Sequence, residues 1–471
     1  MIFIGSYSMK EDVVVVSYGA RDAAMADALY RSSHDFRIHV ADKHSNPLNY
    51  EIAERTGGTH VVVPDLNLFD IYDFAEHLTG EGKKPDFVLC GSEGPIIHGI
   101  SDRIQNGLHI PVLAPTKKYA IEADKARQRE LIERAAPQAG IRHKVFGIGA
   151  SEKSVRDFME KFGYKIAIKP VTPSEGKGVE VYGDHFNTPD GALRSFRERN
   201  RNGRVIVEER LVGEESSNTA FSDGIRLSFA RDTRDYKRAF NDDMGPNTGG
   251  MGSYMDVNNW LPFMTKDNYD AECNIVQRFF DEMCKGARPE EIRGTIYTAF
   301  ILTEDGPKII EINSRPGDPE FMNILAALDT DFGEMCYLMA EENLMQIPTK
   351  PVASVVTYLV PQTYGGKNPK WQGDREVKLG PLKDVMLNGG ENLRVYPGSM
   401  ELGSDGKYYM MGSRTIALVG TGKTIEEARR RSVEAADKVE GDLWGRPDIA
   451  SHNHIKRSED KMRIPKMYFS F

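Results

Sequence analysis

Over the first 117 residues the apolar positions fall into two alternating patterns. Four consecutive valines, Val13 to Val16, run toward Gly19, and the stretch RDAAMADALYRSS that follows spaces Ala, Met and Leu as one helix face would. This predicts strand, tight turn, helix. FRIHVAD and THVVVPD repeat the strand signal, LFDIYDFAEHLTG the helix, and PDFVLCGSEGP a strand that breaks at glycine. IIHGISDRIQNG adds a further helix before IPVLAPT closes the unit. Such alternation predicts an α/β domain with a Rossmann-like parallel sheet covered by helices, binding ligands at the carboxyl ends of its strands.

From Lys117 to about Met345 the pattern changes to hairpins. FILTEDGPKIIEIN places turn residues between two alternating apolar runs, which predicts antiparallel pairing. A third change comes near Pro348, where ASVVTYLVP restarts a strand. TIALVGTG followed by TIEEARRRSVEAADKVE then predicts a small α+β finish. The expected domains are 1–117, 118–347 and 348–450, with 451–471 a polar tail that packs only at its aromatic end. A chain of 471 residues requires more than one core, since single cores stop growing at about 250–300 residues.

Composition narrows the function. With 40% hydrophobic and 28% charged residues, and no apolar run of the ~18 residues that a bilayer span needs, the chain reads as an ordinary globular protein with no membrane partner. The start, MIFIGSYSMKED, lacks the basic flank and long apolar stretch of a secretion signal, so the expected location is cytoplasmic. A net charge of −9 argues against a nucleic-acid partner. Cys90, Cys273, Cys284 and Cys336 show neither a CxxC pair nor dense spacing, and neither zinc nor disulfides are expected.

Three stretches carry candidate chemistry. In KIAIKPVTPSEGKGVEVY, Lys169 ends a strand, and Gly176, Lys177 and Gly178 place backbone N–H groups and an ammonium where a polyphosphate could approach; GKG alone is equally a hairpin turn. In RVIVEERLVGEESS, a strand enters at Val205 and leads through Glu208 and Leu211 to Glu215, a carboxylate placed to accept ribose hydroxyls, or simply a solvated acidic loop. In PKIIEINSRPGDPE, Glu311 and Asn313 share side-chain parity on a strand, with Arg315 next on the same face. Two hard oxygen donors on one face suit Mg²⁺, and the guanidinium suits a phosphoryl oxygen. The bland alternative is a surface strand of mixed charge.

These stretches, together with DYKRAFNDDMGPNTGGMG, follow the order and rough spacing of the ATP-grasp ligases. Within that superfamily the chain resembles the phosphoribosylamine–glycine ligase (glycinamide ribonucleotide synthetase) family over residues 12–450. VLCGSEGPII, LAPTKKYAIEADKA and GSRTIALVGTGKTIEEAR are similar to further family segments. The resemblance implies a central ATP-grasp fold with a mobile lid at about 145–207, ATP and Mg²⁺ (or Mn²⁺) as cofactors, glycine and 5-phosphoribosylamine as substrates, and a monomer or homodimer. It implies that Arg315, Lys237 and Asp235 are catalytic, that Lys125, Lys169, Gly176, Lys177, Gly178, Glu208, Leu211 and Glu215 hold the nucleotide, and that Glu311 and Asn313 hold the metal. Gly19, Arg21, Asp22, Glu93, Asn247, Thr248, Gly249, Gly250, Asp318 and Glu320 are implied for the substrates. The glycines of 245–252 would bring main-chain N–H groups across the junction of the two sites; a solvent linker is the alternative.

The chain departs from the family at SYGARDAAM. There the family carries three glycines ahead of Arg-Glu-His, whereas Ser17, Tyr18, Gly19 and Ala20 precede Arg21 and Asp22, and Ala23 replaces the histidine. QTYGGKNPKWQGD after Pro361 also lacks the usual Gly-Tyr-Pro turn. An ATP-grasp ligase with a different amine acceptor is therefore the competing reading. A nucleotide-binding protein without catalysis is disfavoured by the presence of Glu311, Asn313, Arg315 and Lys169, and an NAD enzyme by the absence of GxGxxG.

Overall fold

The computed structural model describes residues 10–172 and 178–463. Strands β1 (Glu11–Ser17), β2 (Phe36–Asp42), β3 (His60–Val62) and β4 (Phe87–Cys90) form a parallel sheet in the order β3-β2-β1-β4. Helices α1 (Ala20–Tyr30), α2 (Pro47–Thr56), α3 (Leu68–Gly80), α4 (Glu93–His98) and α5 (Ile100–Leu108) accompany it. The four valines explain the arrangement: all are fully buried, Val13 and Val15 in one core cluster, Val14 and Val16 in another. A strand covered on both faces needs such an unbroken apolar run. Each buried valine contributes about 1.5–3 kcal/mol, so a charge at Val15 would break the sheet at its centre.

A second body follows helix α6 (Lys125–Ala135). Strands β5 (His143–Phe146), β6 (Ile166–Pro170), β7 (Glu180–Val181) and β8 (Val205–Glu209) pair antiparallel in the order β5-β8-β6-β7. With α7 (Glu152–Glu160) and α8 (Pro189–Asn200) they enclose a separate core around Phe146, Met159, Ile168 and Phe196. This body runs from His143 to Glu209.

The third body is a mainly antiparallel sheet that carries the site. Its central part comprises β9 (Glu214–Ser222), β10 (Leu227–Phe229), β11 (Thr233–Asp235), β14 (Gly252–Met255), β15 (Gly294–Thr303) and β16 (Gly306–Asn313); β12 (Arg238–Phe240) and β13 (Met244–Asn247) form a small ribbon beside it. The sheet then continues through β17 (Ala353–Pro361), Ile416–Gly422 and Leu393–Pro397. The strand expected to restart the chain near Pro348 thus hydrogen-bonds directly to β14. Helices α9 (Lys266–Met283), α10 (Glu320–Ala327), α11 (Phe332–Ala340), α12 (Leu382–Asn388) and α13 (Ile425–Ala436) flank these strands. Among the described residues no helix is long and apolar enough to cross a membrane.

The expected tail requires correction. Residues His452–Arg463 form a helix, α14, with His454 and Ser458 buried, while the aromatic end lies outside the described residues. Ser451 accepts a hydrogen bond from the His454 N–H at 3.3 Å, which caps the helix start.

Candidate functional site

Register decides which side chains meet. Ser217 lies opposite Ala299 and Thr219 opposite Tyr297 in the β9–β15 pair, while Ala299 faces Glu311 and Tyr297 faces Asn313 in β15–β16. Residues directly opposite share a face. Glu215, Ser217, Tyr297, Glu311 and Asn313 therefore line one side of the sheet, and Asp235 and Lys237 join them from β11 and its end. A β-bulge at Ile310 makes this compatible with a core: Ile309 pairs with Phe300 rather than following the parity of Glu311, so Ile309 and Ile312 both reach the apolar cluster behind the sheet.

Helix α6 braces that strand end. Asp124 caps it, accepting from the N–H groups of Ala126 (2.8 Å) and Arg127 (3.1 Å), which fixes Lys125 at the first helical position. One turn on, the Gln128 side chain exchanges hydrogen bonds with the Ile312 backbone (2.8 and 3.1 Å). Arg129 donates to the carbonyls of Ile309 (2.8 Å) and Ile310 (2.6 Å) and reaches Glu208 Oε1 on β8 at 2.6 Å. Lys169 approaches the other Glu208 oxygen at 2.8 Å. Burial alone would raise the Glu208 carboxyl, but Arg129 and Lys169 hold it at about 2. Its side chain thus serves the two cations rather than a ligand. No motif marks Arg129, although its place four residues after Lys125 puts the two on one helix face.

The charge balance on the site face is specific. Burial pushes Glu311 up, yet Lys237, Lys125, Lys169 and Arg315 together hold it below its usual range and ionised. Lys237 forms an ion pair with Glu215 at 2.8 Å, and Glu215, Asp235 and Glu311 keep it protonated against burial. Asp235 is raised by burial and by Glu320, and its Oδ1 is buried without a hydrogen-bond partner. Among the described residues no three His, Cys, Asp or Glu side chains are grouped to hold a metal by themselves. Two oxygen donors facing four cations fit an ion that completes its shell with phosphate oxygens and water, as Mg²⁺ does.

The glycine-rich stretch is tied down rather than free. Thr248 donates through both N–H (2.7 Å) and Oγ1 (2.9 Å) to the Lys237 carbonyl, and Gly250 N–H donates to Thr248 Oγ1 at 3.1 Å. Asn247 pairs with Arg238 across the β12–β13 ribbon. Gly249 N–H donates to Tyr364 at 3.1 Å, and Arg414 donates to the Gly249 and Gly250 carbonyls. Gly250 has φ +103°, and a Cβ there would stand 2.6 Å from Asp235 Oδ1 and from Pro319. A linker reading is therefore excluded for this segment.

The parallel-sheet domain meets this face at Pro316. Arg21 donates to the Pro316 carbonyl at 3.0 Å, and Arg315 does so at 3.1 Å. Arg315 also lies 3.1 Å from Glu122 and 4.0 Å from Glu93, which opens α4. Asp318 accepts from Tyr358 (2.6 Å) and Arg414 (3.0 Å), and Glu320 accepts from Tyr297 (2.5 Å). Asp22 turns back to accept from the N–H groups of Tyr18 (3.0 Å) and Gly19 (3.3 Å). Gly178 accepts from Arg199 at 2.8 Å on the four-stranded antiparallel body, while Gly176 and Lys177 lie outside the described residues. Glu122, Tyr297 and Arg414 are site neighbours that spacing alone could not reveal.

A parallel-sheet domain, an antiparallel four-stranded body and a charged sheet face define an ATP-grasp protein. The phosphoribosylglycinamide synthetase N domain matches residues 11–122, and the ATP-grasp (A) domain of the same family matches 123–321. The phosphoribosylamine–glycine ligase of Methanocella arvoryzae is 34% identical over 459 residues, covering 96% of this chain and 98% of the relative. That of Pyrococcus furiosus is 31% identical over 448 residues, covering 94% and 95%. The crystal structure of the Thermotoga maritima phosphoribosylamine–glycine ligase shares the fold, with a TM-score of 0.71 at 22% identity over 93% of this chain and 100% of that one. The biotin carboxylase domain of Hydrogenobacter thermophilus 2-oxoglutarate carboxylase, solved with MgADP, ADP and bicarbonate, aligns with a TM-score of 0.67 at 15% identity, over 93% of this chain and 91% of that one. The chain belongs to the phosphoribosylglycinamide synthetase family.

Proposed function

We propose that this protein is an ATP-dependent carboxylate–amine ligase that joins glycine to 5-phosphoribosylamine, giving glycinamide ribonucleotide, ADP and phosphate in purine biosynthesis. The observation that carries the reading is the single sheet face bearing Glu215, Asp235, Lys237, Glu311 and Asn313 at the junction with the Arg21 domain, in a chain of this family. The glycine carboxylate attacks the γ-phosphate, and the resulting glycyl phosphate is attacked by the amine. The new C–N bond forms as the C–O bond to phosphate breaks, and phosphate leaves with the electron pair.

Positioning and charge compensation are the protein's main tasks in such a transfer. Leu211 and Glu215 face the adenine and ribose. Lys125, Lys169, Lys237 and Arg315 offset phosphate charge, and the 145–207 body, with Gly178 on its loop, shields the acyl phosphate from water. Glu311 and Asn313 would hold Mg²⁺, which supplies neutralisation of the triphosphate when bound. Asp235, Asp318 and Glu320 with the 247–250 turn receive the amino acid and the incoming amine, and Gly19, Arg21, Asp22 and Glu93 border the ribose phosphate.

A second reading keeps this chemistry with another amine acceptor. It is favoured by Asp22, whose carboxylate already accepts the Tyr18 and Gly19 N–H groups at the start of α1, a place where a phosphate could otherwise bind. Measuring ADP release with glycine and phosphoribosylamine against a panel of amines separates the two, and no turnover with the former removes the first. Glu311→Gln or Asn313→Leu should lower ADP formation by about 10²–10³-fold; undiminished nucleotide consumption would end both readings.

A further inference from the structure

Alternate residues of the site strands point to opposite sides, and the side away from the site is occupied by α14. Glu215, Asp235 and Lys237 face the site, whereas Glu214, Arg234 and Tyr236 face the helix. Arg234 forms an ion pair with Glu214 and donates to Ser458 Oγ at 3.2 Å. Lys461 Nζ stands 2.7 Å from Glu214 Oε1 and donates to the Gly213 carbonyl at 2.7 Å. His454 Nε2 lies 2.8 Å from Asp243 and its Nδ1 3.4 Å from the Tyr236 hydroxyl, and Arg457 lies 2.8 Å from Asp242. The fully buried positions of α14, His454 and Ser458, are both polar, and Ile455 and Met462 pack against the main core beside them, so directional contacts act together with apolar packing in seating the helix.

These contacts land beside Glu215 and Lys237, two of the residues placed against the nucleotide in the reading above. The Gly213–Glu214 peptide leads directly into Glu215, and the ribbon carrying Asp242 and Asp243 follows Lys237. Gly213 runs close against the Leu302 backbone, where a Cβ would stand 2.1 Å from the carbonyl oxygen, so no side chain fits there. We propose that α14 is a strap whose Lys461, Arg457 and His454 are positioning residues for the nucleotide end of the site, fixing Glu215 and Lys237 at one separation. The inference rests on the assignment of Glu215 and Lys237 to the nucleotide.

The test is calorimetric titration of ATP with Mg²⁺ into the full-length protein, which needs no amine acceptor. Full-length Lys461→Glu/Arg457→Glu should bind ATP about tenfold more weakly, while Lys461→Arg/Arg457→Lys stays within about twofold. The KM for glycine at saturating ATP should move by less than about twofold in both. A charge-reversed protein that melts as the wild type does and binds ATP equally well overturns the strap, as does an equal loss in the conservative pair. If charge reversal prevents folding, Lys461→Ala decides: about threefold weaker ATP binding supports the strap and unchanged binding overturns it. Wild-type protein that binds no ATP would instead defeat the nucleotide assignment itself.

Discussion

Arg21 and Arg315, from two different bodies of the fold, donate to the same carbonyl oxygen, that of Pro316, at 3.0 and 3.1 Å. The two guanidiniums meet across the junction, each beside a carboxylate, Arg21 with Asp22 at 3.3 Å and Arg315 with Glu122 at 3.1 Å. Arg21→Ala should raise the KM for the phosphorylated amine by about 10–100-fold, the loss of one charge-assisted contact of about 1.5–3 kcal/mol. The KM for ATP should stay unchanged, and initial rates with each substrate varied in turn check this. An equal rise in both would place Arg21 outside the acceptor site.

Glu208 is the common partner of Arg129 and Lys169, and all three are buried. Glu208→Ala strands two buried cations and should destabilise the protein by about 3–5 kcal/mol, read by urea denaturation. Because the folded carboxyl sits at about 2, its stabilisation is complete above the ordinary glutamate value of 4.5 and is lost as pH falls from there toward 2. The variant should be flatter than wild type in that window.

Behind the sheet, Asp232 and Glu272 approach each other, with Asn218 donating to the first at 2.9 Å and Ser216 to the second at 2.7 Å. Burial raises both, Glu272 to about 8, so the native pair holds a proton that the unfolded chain releases. The stability from this pair is full below the ordinary value of 4.5 and falls as pH rises from there to about 8, by on the order of 1.4 kcal/mol per pH unit for one proton. Unfolding midpoints between these limits should slope less in Asp232→Asn/Glu272→Gln.

Gly250→Ala should retain the fold and lose activity. An alanine at φ +103° is strained by about 1–3 kcal/mol, and its methyl would press on Asp235 and Pro319. Turnover at saturating ATP should fall by about tenfold or more, with ATP affinity held, as measured by ADP release and titration.

Much of this was legible in the chain. The four valines announced a strand buried on both faces, and EDGP announced the β15–β16 hairpin. Glu311 and Asn313 share a face as their spacing required. The bulge at Ile310 was not readable, because it is set by how β15 and the Arg129 guanidinium engage the Ile309 and Ile310 carbonyls. Nor could α14 be foreseen: its polar sequence resembles a solvated tail, and the charges it meets come from the alternate faces of β9 and β11 and from the Asp242–Asp243 turn. Tyr297 and Arg414 reach the site through register and tertiary contact, which no local motif records.

The sheet that runs from β16 to Leu393–Pro397 also bears on dissection of the molecule. Strand β17 is hydrogen-bonded on one flank to β14 and on the other to Ile416–Gly422. It is a plank in the middle of a continuous floor. Severing the chain near residue 348 and expressing the pieces apart would bare a raw edge on each, prone to pair with foreign strands. The same pieces made together have matching seams and should knit back into one enzyme.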